Sequence, residues 1–181
     1  MRISTLLLAL LLVGCSKPSW HMTDITGGMP RLYFHMLENG RPVTAEDFRG
    51  KVVALYFGYT HCPDVCPATL ANLADMAGKV HSPNFAILFV TVDPDRDTDQ
   101  VLTDYAKAFS PQVVGLRGSA NELADLARRY RVAYTVDKGP PYQVMHSNAV
   151  FFFDRDGRAR LVTTDTSDTA AIAQDVKRLL G

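Results

Sequence analysis

The sequence predicts an α/β protein with a central mixed sheet flanked by helices and an N-terminal β-hairpin as an extension. Two near-continuous apolar runs, Lys51 to Gly58 (KVVALYFG) and Phe85 to Val92, have the composition of short strands buried on both faces. Each is followed by apolar residues at helical spacing, which is the alternation of a βαβ unit. The C-terminal part reads instead as two strands joined through Arg155-Asp156-Gly157 and a closing helix.

The first residues belong to no fold. Arg2 supplies a positive start, Leu6 to Val13 is an apolar run too short to span a bilayer, and Leu12-Val13-Gly14-Cys15 closes it. This resembles a bacterial lipoprotein signal peptide. The resemblance implies cleavage before Cys15, lipidation of Cys15, and a protein held in the bacterial cell envelope facing the periplasm. Residues 15–29 are then the lipidated cysteine and a tether, rich in Ser, Pro, Thr and Gly and without a hydrophobic period. Residues 30–181 are of a size for one domain with one core. Acidic and basic residues balance at 19 each with no long run of either sign, so the charge gives no footprint for nucleic acid.

Within the domain, Arg31 to Leu37 and Arg41 to Thr44 flank Asn39-Gly40, a strong hairpin signal. The helix after the first buried strand shows Leu70, Leu73, Ala74 and Ala77 on one face, with Pro67 suited to its first position. The helix after the second carries Leu102, Tyr105, Ala106 and Phe109, with Asp97 as the expected cap and Gln100 three residues on. Val113 to Leu116 reads as a short strand, and Ser119 with Glu122 is a capping-box pattern before a helix built on Leu123, Leu126, Ala127 and Tyr130. Ala149 to Asp154 and Arg158 to Thr163 are the closing strands, and Ile172, Val176, Leu179 and Leu180 line the last helix. A βαβ unit followed by a ββα unit is the layout of a thioredoxin-like fold.

In that fold the chemistry lies where the first buried strand meets the following helix, whose N-terminus stabilises a nearby thiolate. The stretch FGYTHCPDVCP, residues 57–67, puts Cys62 and Cys66 there, each followed by a proline that restricts it to extended backbone. With Cys15 lipidated they are the only thiols left. A spacing of four is compatible with a disulfide, a redox pair or a metal clamp, and does not choose among them. A third ligand would. His146, in YQVMHSNAVFFFD just before a buried strand, occupies the segment that faces the cysteine loop in thioredoxin-like folds. His61 adjoins Cys62 but points away from it in extended backbone. His21, His35 and His81 read as solvated residues, and Met145 as facing away from His146. Two thiolates and one imidazole fall short of a four-ligand structural zinc site and suit copper, Cu(I) or Cu(II). The loop Asp93-Pro94-Asp95-Arg96-Asp97-Thr98-Asp99 is no calcium loop, since Thr98 stands where the EF-hand needs glycine.

Tyr56 to Pro67, Val92 to Thr98, and Tyr142 to Asp154 with Gly157 following, resemble the three signature stretches of the Sco/SenC copper-chaperone family in their order. The resemblance implies Cys62, Cys66 and His146 as copper ligands and assembly of the CuA centre in subunit II of cytochrome c oxidase as the function. It implies that subunit, its assembly factors, other periplasmic copper chaperones or thioredoxin-like reductases as partners, and it favours the inner membrane. Asp64 and Asp93 are expected as secondary or partner-facing residues. Met145 departs from the aspartate common before the family's histidine. If the pair is redox-active, Cys62 and Cys66 are also the catalytic residues of a thiol-disulfide oxidoreductase. A permanent disulfide in a binding module is the third reading.

Overall fold

A computed structural model describes residues 19–181; the expected signal peptide and Cys15 lie outside the described residues. The sheet expected from the buried runs is present. Its six strands are β1 (Thr23–Asp24), β4 (Val52–Gly58), β5 (Phe85–Thr91), β6 (Val113–Leu116), β9 (Val150–Phe153) and β10 (Ala159–Thr163), in the spatial order β1-β10-β9-β4-β5-β6. β4, β5 and β6 run parallel, whereas β9 lies antiparallel to β4 and β10 antiparallel to β9. Every residue of β4 and β5 is buried, as their unbroken apolar sequences require of strands covered on both faces.

Four helices complete the domain: α1 (Val65–Val80), α2 (Asp99–Phe109), α3 (Ala120–Arg129) and α4 (Thr169–Leu180). α1 packs against α4, and α2 against β6. The fold is thus thioredoxin-like, with β2 (His35–Glu38) and β3 (Arg41–Thr44) as the predicted hairpin extension. Its turn residues Asn39 and Gly40 both have positive φ, 49° and 76°, the geometry of a two-residue turn that matches strand twist. The Ser119 and Glu122 capping box forms as read. Among the described residues, no helix is long and apolar enough to cross a membrane.

Four local expectations change. The cap of α2 is Thr98, whose hydroxyl accepts from the Val101 N–H; Asp97 is fully buried and bonded elsewhere. α1 begins two residues before Pro67, so Cys66 is the second helical residue. Tyr134–Asp137 (β7) and Gln143–His146 (β8) form a separate antiparallel hairpin that the sequence reading leaves undivided. Its strands are short and only half-buried, which gives a weak pattern.

The fourth change is the largest. From Trp20 on, the expected tether is part of the folded domain: Met22 is buried, Thr23 and Asp24 pair with Val162 and Leu161, and Trp20 packs against the core. His21, expected to be solvated, places Nδ1 3.0 Å from a carboxylate oxygen of Asp175, which is completely buried in α4. Asp175 also accepts the backbone N–H groups of His21 and Met22, at 2.8 and 2.9 Å. Short polar segments read as linkers because their partners, here Val162 and Asp175, lie far along the chain.

Candidate metal centre

Cys62, Cys66 and His146 meet at one end of the sheet. β4 delivers the cysteine loop at its C-terminal end. β9, its antiparallel neighbour, begins at that same end, with Tyr56 opposite Val150. The segment that precedes β9 therefore carries His146 back to the cysteines. The Cys66 Sγ lies 3.2 Å from His146 Nε2, and the Cys66 backbone N–H points at the Cys62 Sγ at 3.4 Å. The three donor atoms all lie within 4.8 Å of one another, and both cysteines are free thiols.

The surroundings prepare each donor. His146 donates from Nδ1 to the Ser147 carbonyl at 2.9 Å, which leaves the Nε2 lone pair directed at the thiols. Burial lowers its pKa, partly offset by that bond, so the ring is neutral and able to ligate. The rings of Tyr56 and Tyr59 meet it edge-on, at centroid distances of 6.0 and 5.9 Å. Burial, with the neighbouring Cys62 adding to it, pushes the Cys66 thiol up to about 12, more than the backbone N–H of Tyr59 brings it down. Cys62 differs. Burial pushes it up as well, but the backbone N–H groups of Asp64 and Cys66, the Cys66 thiol and Tyr59 together outweigh that, and its net shift is downward. The pair thus combines an activated thiol, 8% exposed, with a protonated one that has no exposed surface.

Gly58 makes room for the buried thiol. A β-carbon there would stand 2.8 Å from Cys66 Sγ and 2.7 Å from the ring of Phe89, closer than either can tolerate. No side chain larger than hydrogen fits between the last residue of β4 and the site.

The Asp-rich loop holds the assembly together from below. Asp97 accepts the Thr60 backbone N–H at 2.9 Å and the hydroxyls of Thr60 and Thr91 at 2.6 Å each, and His61 Nδ1 lies 3.4 Å from it. One buried carboxylate thereby fastens the cysteine loop to the end of β5. Asp93, expected to be secondary or partner-facing, is 1% exposed and so faces no partner directly. It accepts a bond from Tyr142 at 2.7 Å and pairs with Arg96, whose guanidinium lies 3.9 Å over the Tyr142 ring. With the ion pair between Lys138 and Asp95, these contacts hold the β7–β8 hairpin that ends in His146. Asp64 sits at the N-cap of α1, exposed, with no side-chain cap bond; its backbone N–H serves Cys62. Met145 is 66% exposed on the hairpin face opposite His146 and is not among the converging donors. Asp97, Tyr142 and Gly58 are the supporting residues that sequence reasoning missed as such. The one signal available was that each lies inside a signature stretch.

The donor set fits a soft, low-coordinate cation: two sulfurs and one imidazole, with no further His, Cys, Asp or Glu in the group among the described residues. Its pKa pattern has a direct readout. Alkylation of the reduced protein modifies Cys62 first, its rate levelling off below the pH usual for a free thiol, while Cys66 stays unmodified until strongly alkaline pH; equal labelling at neutral pH contradicts this. Because Cys66 must lose its proton to bind a metal, uptake releases protons and weakens as pH falls. Gly58→Ala should destabilise the domain by about 1–3 kcal/mol in denaturant titration and move Cys66 off His146.

A family model described as SCO1/SenC matches residues 31–181. The protein named "Protein SCO2 homolog, mitochondrial" from Bos taurus is 41% identical over 132 residues, 68% of this chain and 50% of that protein. The chain thus spans about half the length of that relative. Among solved structures, Arabidopsis thaliana ScoI with copper bound superposes with a TM-score of 0.76 at 32% identity, covering 82% of this chain and 96% of that one. Apo Sco1 from Thermus thermophilus does so with a TM-score of 0.78 at 33% identity, covering 89% and 97%.

Proposed function

We propose, since this chain belongs to the SCO1/SenC family, that it is an exported, lipid-anchored copper metallochaperone. Its cargo is one copper ion held by Cys62, Cys66 and His146. The observation that carries this reading is the convergence of the three donor atoms from segments eighty residues apart, together with the copper-bound ScoI similar to it. By the resemblance of its motifs, the receiving partner is the CuA domain of cytochrome c oxidase subunit II or a factor assembling it. The resemblance of the first fifteen residues to a lipoprotein signal peptide supports a location in a bacterial envelope, facing the periplasm, and contact with an oxidase favours the inner membrane.

The geometry suits hand-over rather than storage. Cys62 lies in a loop whose neighbours His61, Pro63, Asp64 and Val65 are exposed, so an incoming thiolate can approach from that side. Displacement of Cys62 by a target thiolate, then of His146 and Cys66, moves the ion by ligand exchange without leaving it free. Cys66, fully buried against Gly58, is placed to release last.

A second reading rests on the unequal thiols. The Cys62 thiolate attacks a target disulfide and forms a mixed disulfide, releasing one target thiolate. The Cys66 thiolate then attacks the Cys62 sulfur, releasing the second target thiol and leaving a Cys62–Cys66 disulfide, so that two electrons pass to the target. The two activities are compatible, because a target's cysteines must be reduced before they accept copper.

Copper titration of the reduced protein separates them. The reduced wild type should bind one copper tightly, and His146→Ala should bind at least ~100-fold more weakly, more than loss of an outer-shell contact costs. The oxidised protein should bind little. Undiminished binding by His146→Ala would promote the oxidoreductase.

A further inference from the structure

The N-terminal segment is pinned to the domain by more than packing. Asp175, with no exposed surface, spends its carboxylate on the backbone N–H groups of His21 and Met22 and on the His21 ring. A buried carboxylate is costly unless its acceptor sites are filled, so these bonds make the attachment a built feature of α4. Arg178 donates to the Ser19 carbonyl at 2.7 Å and lies 4.3 Å over the Trp20 ring, with Arg160 on that ring at 5.8 Å. The strap then turns into β1 at the sheet edge and is tied again where the Ile25 N–H meets the Arg160 carbonyl at 2.9 Å.

Its position relative to Cys15 matters. Residues 16–18 alone separate Ser19 from that cysteine. Four residues reach at most about 14 Å, whereas a tether running to residue 29 would reach about 50 Å. A domain of this size has a radius of gyration of about 15 Å. The leash is therefore no longer than the domain's own radius, so the surface beside Ser19 must lie against the headgroups in which an acylated Cys15 sits. That surface carries the Trp20 ring beside the guanidinium groups of Arg160 and Arg178, and the exposed Lys177 in the last turn of α4, a composition suited to a lipid interface.

We propose that Trp20, the β1 edge and the C-terminal half of α4 form the surface on which the domain rests against the bilayer, fixed there by the strap docked on Asp175. This rests on the reading of Cys15 as the anchor. It also fixes where copper is presented. β4, which carries the cysteine loop at its end, lies three strands in from the β1 edge, about 14 Å at ordinary strand spacing. The metal centre, at the end of the sheet away from Leu180, whose carbonyl Arg155 ties beside Gly50 just before β4, then faces a partner at a set height above the membrane instead of sweeping a wide volume on a long tether.

The test uses the full-length lipoprotein reconstituted in vesicles of zwitterionic and anionic phospholipid that carry a headgroup nitroxide quencher. Trp20 is the chain's single tryptophan, so Trp20→Phe gives a silent background that keeps an aromatic ring beside the two arginines. A reporter is then placed at Lys177→Trp on α4 or at Lys107→Trp on α2, which packs beside β6 at the opposite sheet edge. The expected result is a marked loss of emission at position 177 and little at 107, with Asp175→Asn erasing the difference. Mass spectrometry of Cys15 and co-sedimentation with vesicles report the anchor separately. An unacylated Cys15 overturns the anchoring reading and this inference with it. Acylated, sedimenting protein quenched equally at 177 and 107 overturns the orientation alone. If Asp175→Asn does not fold, the comparison of the two reporter positions still decides.

Discussion

Antiparallel pairing of β4 with β9 is the constraint from which the site follows. Two antiparallel neighbours place the end of one beside the start of the other, so the loop leaving β4 and the segment entering β9 share one end of the sheet. Eighty residues of sequence separation between Cys66 and His146 become 3.2 Å. Parallel pairing of β4 with β5 supplies the floor, because β5 ends in the Asp-rich loop beside the same opening. Three loops thus meet at one end because of strand direction alone, and the buried apolar strands that set the direction supply most of the driving force.

Buried carboxylates then turn proximity into geometry. Asp97 fixes Thr60, two residues before Cys62, and Asp93 fixes Tyr142, four residues before His146. Both stand in one short loop, so the two halves of the ligand set are referred to a common base. Neither carboxylate need touch a metal to affect it. Such groups are tolerated in the interior because each oxygen is bonded, and removing one would leave donors stranded. Gly58 works in the opposite sense, by absence: the site has a buried thiol because the end of β4 has no side chain.

Much of this was legible in the sequence, for identifiable reasons. β4 and β5 announce themselves as unbroken apolar runs, and the Asn39-Gly40 turn and the Ser119–Glu122 box are local signals whose chemistry is complete within four residues. The Cys62, Cys66 and His146 group was anticipated from spacing joined to a fold-level argument and a resemblance, and the structure brings those three together. What escaped depends on distant partners. Asp97 resembles a helix cap until Thr60 and Thr91 are seen to claim its oxygens. The residues from Trp20 to Asp24 resemble linker until Asp175 and β10 are in place. The β7–β8 hairpin buries too little to show a clean alternation, and it is held by Tyr142, Arg96 and Lys138 rather than by a core of its own.

The proposed copper site is a single coordination sphere, assembled from the cysteine loop and the end of β8. X-ray absorption spectroscopy of the copper(I)-loaded, reduced full-length protein examines that sphere directly. The proposed site predicts two sulfur donors and one imidazole nitrogen per copper, with the imidazole scattering lost in His146→Ala. A sphere made of sulfur alone, or an imidazole signature that survives His146→Ala, would contradict it.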